Sequence, residues 1–361
     1  MYHRGLMIFP RLKFWSSESE PESSSDLIHR SLENRQHRLC AGISVDEKFQ
    51  KIHGCLAVLK GRGRFSRLKF ATGASIDLSA SLQKGCKEIF GSEKPNTFDL
   101  QFLLRDLADA QTLVIEQLKQ EAGKYVDRVL AISVVDPGLW FSDFDDKPLY
   151  LPMCDPTTIA ESTGIAVIDA LPQRDLAVGG TGGPLAALPL WMILADRNSK
   201  VADTDCVLVD LTKRTPETFW LPASDGLDAE LPAIKWQVAD ADLTYDQVIR
   251  RAAQAHPQAR LFVHCNESQR SDESGLSVRG DLKFERLDDV IGKTINLEAL
   301  VAAILGMFHI DQLPGNLPRL TGATSQRILG RLTPGRPSNW RQLIRAMAQY
   351  HPAPMKLKDA I

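Results

Sequence analysis

No apolar run in the 361-residue chain approaches the roughly 18 residues that a membrane helix needs, so no membrane partner is expected. The amino-terminal stretch is broken by Arg4, Pro10, Arg11 and Lys13 and lacks a clean signal-peptide core, which points to a cytoplasmic protein. An excess of one charge is missing too. Forty-three basic residues stand against 45 acidic ones, a formal net charge of −2, and no nucleic-acid partner is expected. The six cysteines (Cys40, Cys55, Cys86, Cys154, Cys206, Cys265) form no CxxC pair. They read as small buried apolar side chains in a reducing compartment, not as disulfides or zinc ligands. There is no GxxxxGKS/T loop, no HExxH and no GxSxG, and His264 beside Cys265 lacks further ligands at metal spacing, so it reads as a core histidine.

What is present is an ordinary globular composition, 43% hydrophobic and 24% charged, with length enough for two domains. Residues 1–37 form a polar, acidic leader containing SSESEPESSSD, too poor in apolar surface to order itself. From Arg38 the pattern turns to β: Gly42 to Asp46, His53 to Lys60, a turn at Gly61-Arg62-Gly63, and Arg64 to Ala71. Helices are expected at about 78–90 and 98–122, the second with Leu100, Phe102, Leu103, Leu107, Leu113, Val114 and Leu118 at core spacing. Val129 to Val135 reads as a buried strand. Further on come strands at Cys206 to Leu211, Thr218 to Leu221 and Arg260 to His264, helices at Asp246 to Ala255 and Asn296 to Phe308, and a charged, irregular stretch at 266–293. A last amphipathic helix, Ser338 to Tyr350, presents Trp340, Leu343, Ile344 and Met347 for docking. No internal sequence repeat is visible.

The densest signal lies in residues 151–190. A short helix opens at Pro156 and stops at Gly164, a buried strand runs from Ile165 to Ile168, and Gly179-Gly180-Thr181-Gly182-Gly183-Pro184 leads into a helix at Leu185 to Leu194. So many glycines serve backbone conformations or close approaches that a β-carbon blocks, and a glycine loop opening a helix presents N–H groups. A tight turn between strand and helix is the plainer alternative.

This stretch resembles the anhydro-N-acetylmuramic acid kinase family through Leu151, Asp155, Ile159, Thr163-Gly164-Ile165, Asp175, Ala177, Gly179-Gly180, Gly182, Pro184 and Leu185. Leu313-Pro314-Gly315-Asn316-Leu317-Pro318 followed by Thr321-Gly322-Ala323 resembles the family's closing segment. The resemblance implies an α/β fold of two ribonuclease-H-like lobes around a cleft, as in sugar kinases and actin, with lobes at 38–195 and 196–361. It also implies ATP with Mg²⁺ as cofactors, an amino sugar as ligand, and a possible homodimer. The implied sugar-side residues are Trp140, Asp155, Arg174, Asp175, Gly179, Gly180, Gly182 and Glu298; the nucleotide-side ones are Gly42, Ser44, Asp46, Thr212 and Lys213, with Asp46 on the metal.

Several family motifs are altered. In the first phosphate loop, GTSxDGxD, Ile43 replaces the threonine, Glu47 the glycine and Phe49 the second aspartate. Val135 to Phe141 keep only Trp140 of the family's HGQTVWH, and Thr212 and Lys213 replace the glycine pair of NIGGIAN. The DTGPGN loop, where the resemblance implies a general base, has no counterpart; Asp225, Asp228, Asp240 and Asp242 are the carboxylates of residues 222–245. Two functions follow as expectations. One is ATP-dependent opening and phosphorylation of 1,6-anhydro-N-acetylmuramic acid in cell-wall sugar recycling. The other is a pseudokinase that binds a sugar or acts as a scaffold.

Overall fold

The computed structural model describes residues 37–63, 66–92, 95–142, 146–194, 204–223, 232–265 and 282–349. The acidic leader 1–36, Asp225 and Asp228 lie outside the described residues. The strands are β1 (His37–Val45), β2 (Lys51–Lys60), β3 (Arg67–Asp77), β4 (Val129–Val135), β5 (Leu139–Ser142), β6 (Pro148–Leu151) and β7 (Ala166–Asp169). They continue with β8 (Cys206–Asp210), β9 (Glu217–Leu221), β10 (Lys235–Val238), β11 (Arg260–His264), β12 (Glu285–Arg286) and β13 (Arg331–Thr333). The helices are α1 (Ala80–Phe90), α2 (Thr97–Ala122), α3 (Pro156–Thr163), α4 (Gln173–Leu176) and α5 (Ala187–Leu194). The rest are α6 (Tyr245–Ala255), α7 (Leu287–Ile291), α8 (Leu297–Ile310), α9 (Pro318–Thr321) and α10 (Pro337–Ala348).

The first sheet has the order β13-β7-β4-β1-β2-β3 and the second β10-β9-β8-β11-β12. In both, three antiparallel strands are followed by two parallel ones: β1, β2, β3, then β4 and β7; β8, β9, β10, then β11 and β12. The topology therefore repeats although the sequence does not, and it is the doubled ribonuclease-H-like arrangement. Helices α1 and α2 cover one face of the first sheet, and α6 covers the outer face of the second. Between the sheets lies a shared apolar layer built on α8 and α5, with residues such as Cys40, Leu208, Phe219 and Phe262 from both sheets. Twelve of the fourteen residues of α8 are buried, which is why its sequence is apolar all round.

Close packing of α8 on β1 depends on Gly42. A β-carbon there would stand 1.9 Å from the Ala299 carbonyl oxygen and 2.5 Å from the Ala303 amide. The buried Arg38–Asp311 pair, at 2.5 and 2.9 Å, then ties β1 to the carboxyl end of α8, and the Gly63 amide donates to the same carboxylate at 2.6 Å.

The observed fold differs from the sequence expectations in four places. Residues 297–349 return to the first sheet: β13 pairs with β7, and α8 and α10 pack on its strands. Phe102 and Leu113 are exposed on α2, and Ile344 on α10, where Asn339 and Ala346 face inward beside the expected Leu343. Within 266–293, β12 completes the second sheet and α7 follows it. A two-stranded ribbon, β5–β6, projects beside the cleft. None of the six cysteines forms a disulfide and all are buried, and burial pushes the Cys40 thiol up to about 12. Among the described residues no helix is long and apolar enough to cross a membrane.

Candidate functional site

A cavity of about 520 Å³ opens where β4 and β8 end, one strand from each lobe. Ligands of open α/β sheets characteristically sit beyond the carboxyl ends of strands. Its walls carry three aromatics (Trp140, Phe219, Trp236), four carboxylates (Asp136, Asp210, Glu217, Glu298) and Lys213, with Gly182-Gly183-Pro184 forming one side.

The glycine loop is shaped by Asp175. This carboxylate has no exposed surface; Oδ1 accepts from Asn316 Nδ2 at 2.6 Å and from the Thr321 hydroxyl at 2.8 Å, and Oδ2 accepts from the Gly182 amide at 2.9 Å. The Thr181 amide donates to the Thr321 carbonyl at 2.8 Å, so the two tracts that carry the family resemblance are bonded to each other. Gly182 takes a φ of +80°, and a β-carbon there would lie 2.6 Å from the Trp140 ring. Trp140 thus lies on the loop, with Tyr150 of the β5–β6 ribbon 4.9 Å away on its other side.

Across the cavity, Lys213 bonds Glu298 at the amino end of α8 and stands 3.4 Å from Glu47 in the β1–β2 turn. Burial alone would lower the Lys213 pKa. Glu298, with Glu47 and Asp210, outweighs that and holds it above the usual lysine range. At the end of β4, Asp136 is buried; its Oδ1 accepts from the Met153 amide at 2.8 Å. Its Oδ2 has no partner in hydrogen-bond geometry, although the Tyr150 hydroxyl and the Gly138 amide lie near the carboxylate. Burial raises the Asp136 pKa to about 6. Burial likewise raises that of Glu217.

Of the residues singled out in the sequence, Trp140, Gly182, Glu298 and Lys213 line the cavity. The others are placed differently. Asp155 caps α3, accepting from the Thr157 and Thr158 amides at 3.1 Å and the Thr158 hydroxyl at 2.6 Å. Arg174 and Gly179 are exposed outside the cavity wall, and Gly180 backs onto the Asp175 carboxylate. Asp175 shapes the wall from behind without lining it. Gly42 is filled by the approach of α8, and the Ser44 hydroxyl bonds Asn296 Oδ1, the α8 cap, at 3.0 Å. Asp46 accepts from the Gln50 amide at 2.7 Å within its own turn, and Thr212 turns back on Asp210 at 2.9 and 2.6 Å. Among the described residues no three acidic, histidine or cysteine side chains gather as a metal cluster. Of the carboxylates of residues 222–245, Asp240 pairs with Arg251 on the surface at 3.0 Å and Asp242 is exposed. The carboxylates of the cavity are Asp136, Asp210 and Glu217 beside Glu298. Sequence reasoning missed these three, though Asp136 and Asp210 each directly follow or end a buried apolar strand, the position from which strands present chemistry.

Doubled ribonuclease-H-like lobes around a cleft of aromatics, carboxylates and a glycine loop define the sugar-kinase and actin-like class of α/β protein. The sequence comparisons narrow this. The family model for anhydro-N-acetylmuramic acid kinase matches residues 64–208. The anhydro-N-acetylmuramic acid kinase of Shewanella sediminis (strain HAW-EB3) is 24% identical over 296 residues, covering 61% of this chain and 79% of that one. That of Caldanaerobacter subterraneus subsp. tengcongensis is 25% identical over 178 residues, covering 47% and 44%. Over part of its length the chain is therefore similar in sequence to the anhydro-N-acetylmuramic acid kinases. Among solved structures, the inorganic polyphosphate/ATP-glucomannokinase from Arthrobacter sp. strain KM covers 74% of this chain and 97% of its own at 13% identity and a TM-score of 0.33. The Aquifex aeolicus PPX-GPPA enzyme covers 64% and 68% at 9% identity and a TM-score of 0.30.

Proposed function

We propose that this chain is a kinase-fold protein of the cytoplasm that holds a sugar of the 1,6-anhydro amino sugar class in its cleft and does not transfer phosphate from ATP. The observation that carries this is Lys213, which joins Glu47 of the first hairpin turn to Glu298 across the cleft. In this fold the two hairpin turns are where backbone amides meet the phosphates. Here one turn carries the Glu47 carboxylate, and the cation of the other is engaged by two acidic groups. Gly42 is closed off by α8, Ser44 is engaged by Asn296, and Asp46 caps its own turn, so the residues present do not fit a magnesium triphosphate. The sugar side is the better furnished: an aromatic ring on a glycine loop, with carboxylates to accept from hydroxyls, is the make-up of a carbohydrate site. An assay of ADP release from Mg-ATP, with and without 1,6-anhydro-N-acetylmuramic acid, tests the reading: no release above background is expected, and sugar-stimulated release contradicts it.

A second reading, that turnover survives, is favoured by Asp136. A buried carboxylate whose pKa is raised to about 6 is suited to take a proton from water or a sugar hydroxyl. In that case the same assay shows release that Asp136→Asn abolishes.

A further inference from the structure

We propose that the outer face of α2 is a self-association surface, on which a second copy of this chain lays its own α2 antiparallel about a twofold axis. This inference is independent of the cleft reading, since no residue of α2 lines the cavity. The inner face of α2 packs on the first sheet, with Leu100, Leu103, Leu107, Val114 and Leu118 buried. On the outer face, Phe98, Phe102 and Leu113 are 67%, 53% and 60% exposed. Phe98 and Phe102 meet edge to face, with ring centroids 4.8 Å apart, and present one aromatic knob to solvent. With Arg105 and Asp109 these residues recur every three or four positions, so they form a single stripe along the helix. Apolar residues scattered singly on a surface are ordinary, whereas apolar residues gathered along one helix face and interleaved with charge mark a contact.

Charge identifies the occupant. Arg105 and Asp109 are exposed in the middle of the stripe, and among the described residues neither has an ion-pair partner. In an antiparallel pair of α2 helices with the axis level with Leu107, Arg105 of each copy faces Asp109 of the other, and Phe102 of each copy faces Leu113 of the other. One register therefore supplies two ion pairs and two apolar contacts. A parallel pair in register instead sets Arg105 against Arg105 and Asp109 against Asp109. A twofold contact uses the same patch on both partners, so the patch has to complement itself, and the order Phe102, Arg105, Asp109, Leu113 does so.

The test is sedimentation velocity of the full chain from about 1 to 100 μM, with charge-reversal variants run beside it. A dimer whose population rises with concentration and falls with added salt is expected. Arg105→Asp and Asp109→Arg each set like charges face to face across the axis, and each is expected to weaken dimerisation at least about tenfold. The double variant Arg105→Asp/Asp109→Arg restores opposite charges and is expected to return to within about threefold of the unaltered chain. Both side chains are exposed, so the variants are expected to keep the fold. A monomer across the whole concentration range overturns the proposal. A dimer indifferent to both single reversals uses another face and overturns it as well, and so does a double variant that does not recover.

Discussion

Asp175 and Asn316, 141 positions apart, meet at 2.6 Å in the interior, and through the same carboxylate the Gly182 amide is held at 2.9 Å. One buried side chain thus joins the glycine loop to the segment after α8 and gives the cavity wall its shape. Asp175→Ala strands the donors of Asn316, Thr321 and Gly182 in a dry interior. Each such group costs about 1–3 kcal/mol, so a loss on the order of 3 kcal/mol or more is expected in denaturant unfolding. Asp175→Asn, which retains an acceptor, is expected to lose less.

Gly42→Ala tests what that glycine is for. The added methyl meets helix backbone at 1.9 and 2.5 Å, not a flexible side chain, so α8 has to shift. A loss of about 3 kcal/mol, with no nucleotide present, is the expected outcome of this overpacking. Wild-type stability in the variant means that the helix yields easily and that the glycine serves something else.

Asp136 makes stability depend on pH. Its folded pKa, about 6, lies above the ordinary aspartate value, so between the two the folded chain binds the extra proton. Stability from this group is therefore greatest below the unfolded value and falls as pH rises through about 6. A rise of that size corresponds to a cost on the order of 3 kcal/mol at neutral pH. Asp136→Asn is expected to be more stable than the wild type at neutral pH and to flatten this slope in melts between about pH 4 and 7. A variant less stable at neutral pH contradicts the account.

Lys213→Ala leaves Glu47 and Glu298 as like charges near the cleft. With these side chains about a quarter to half exposed, the expected loss is only about 1 kcal/mol and shrinks at high salt. The folded lysine pKa is raised, so its contribution is complete at neutral pH and disappears only as pH climbs above the ordinary lysine value. A melt series to alkaline pH on both chains checks this.

Much of the fold was legible because strands such as β1 and β8 are buried on both faces and therefore mostly apolar, and because Gly164 and Asn296 mark helix ends. What was not legible had weak local signals: β12 is two exposed charged residues, and β5, β6 and β13 are short. The doubled topology left no trace in sequence because only strand order is repeated. Within the site, the glycine loop and Lys213 were visible by motif. Asp136 was not, because its meaning comes from burial at a strand end beside Tyr150. Gly42, Ser44 and Asp155 are engaged in close packing and capping, which demand the same residue types as ligand contact, so sequence alone does not separate the two uses.

The central claim is a cleft that takes sugar without nucleotide. Calorimetric titration of the full chain with Mg-ATP, alone and after addition of 1,6-anhydro-N-acetylmuramic acid, tests it most directly. Heat of binding for the sugar and none for Mg-ATP in either state is the predicted result. Saturable micromolar binding of Mg-ATP contradicts it, because the turns joined through Lys213 and Glu47 would then still be cradling phosphates.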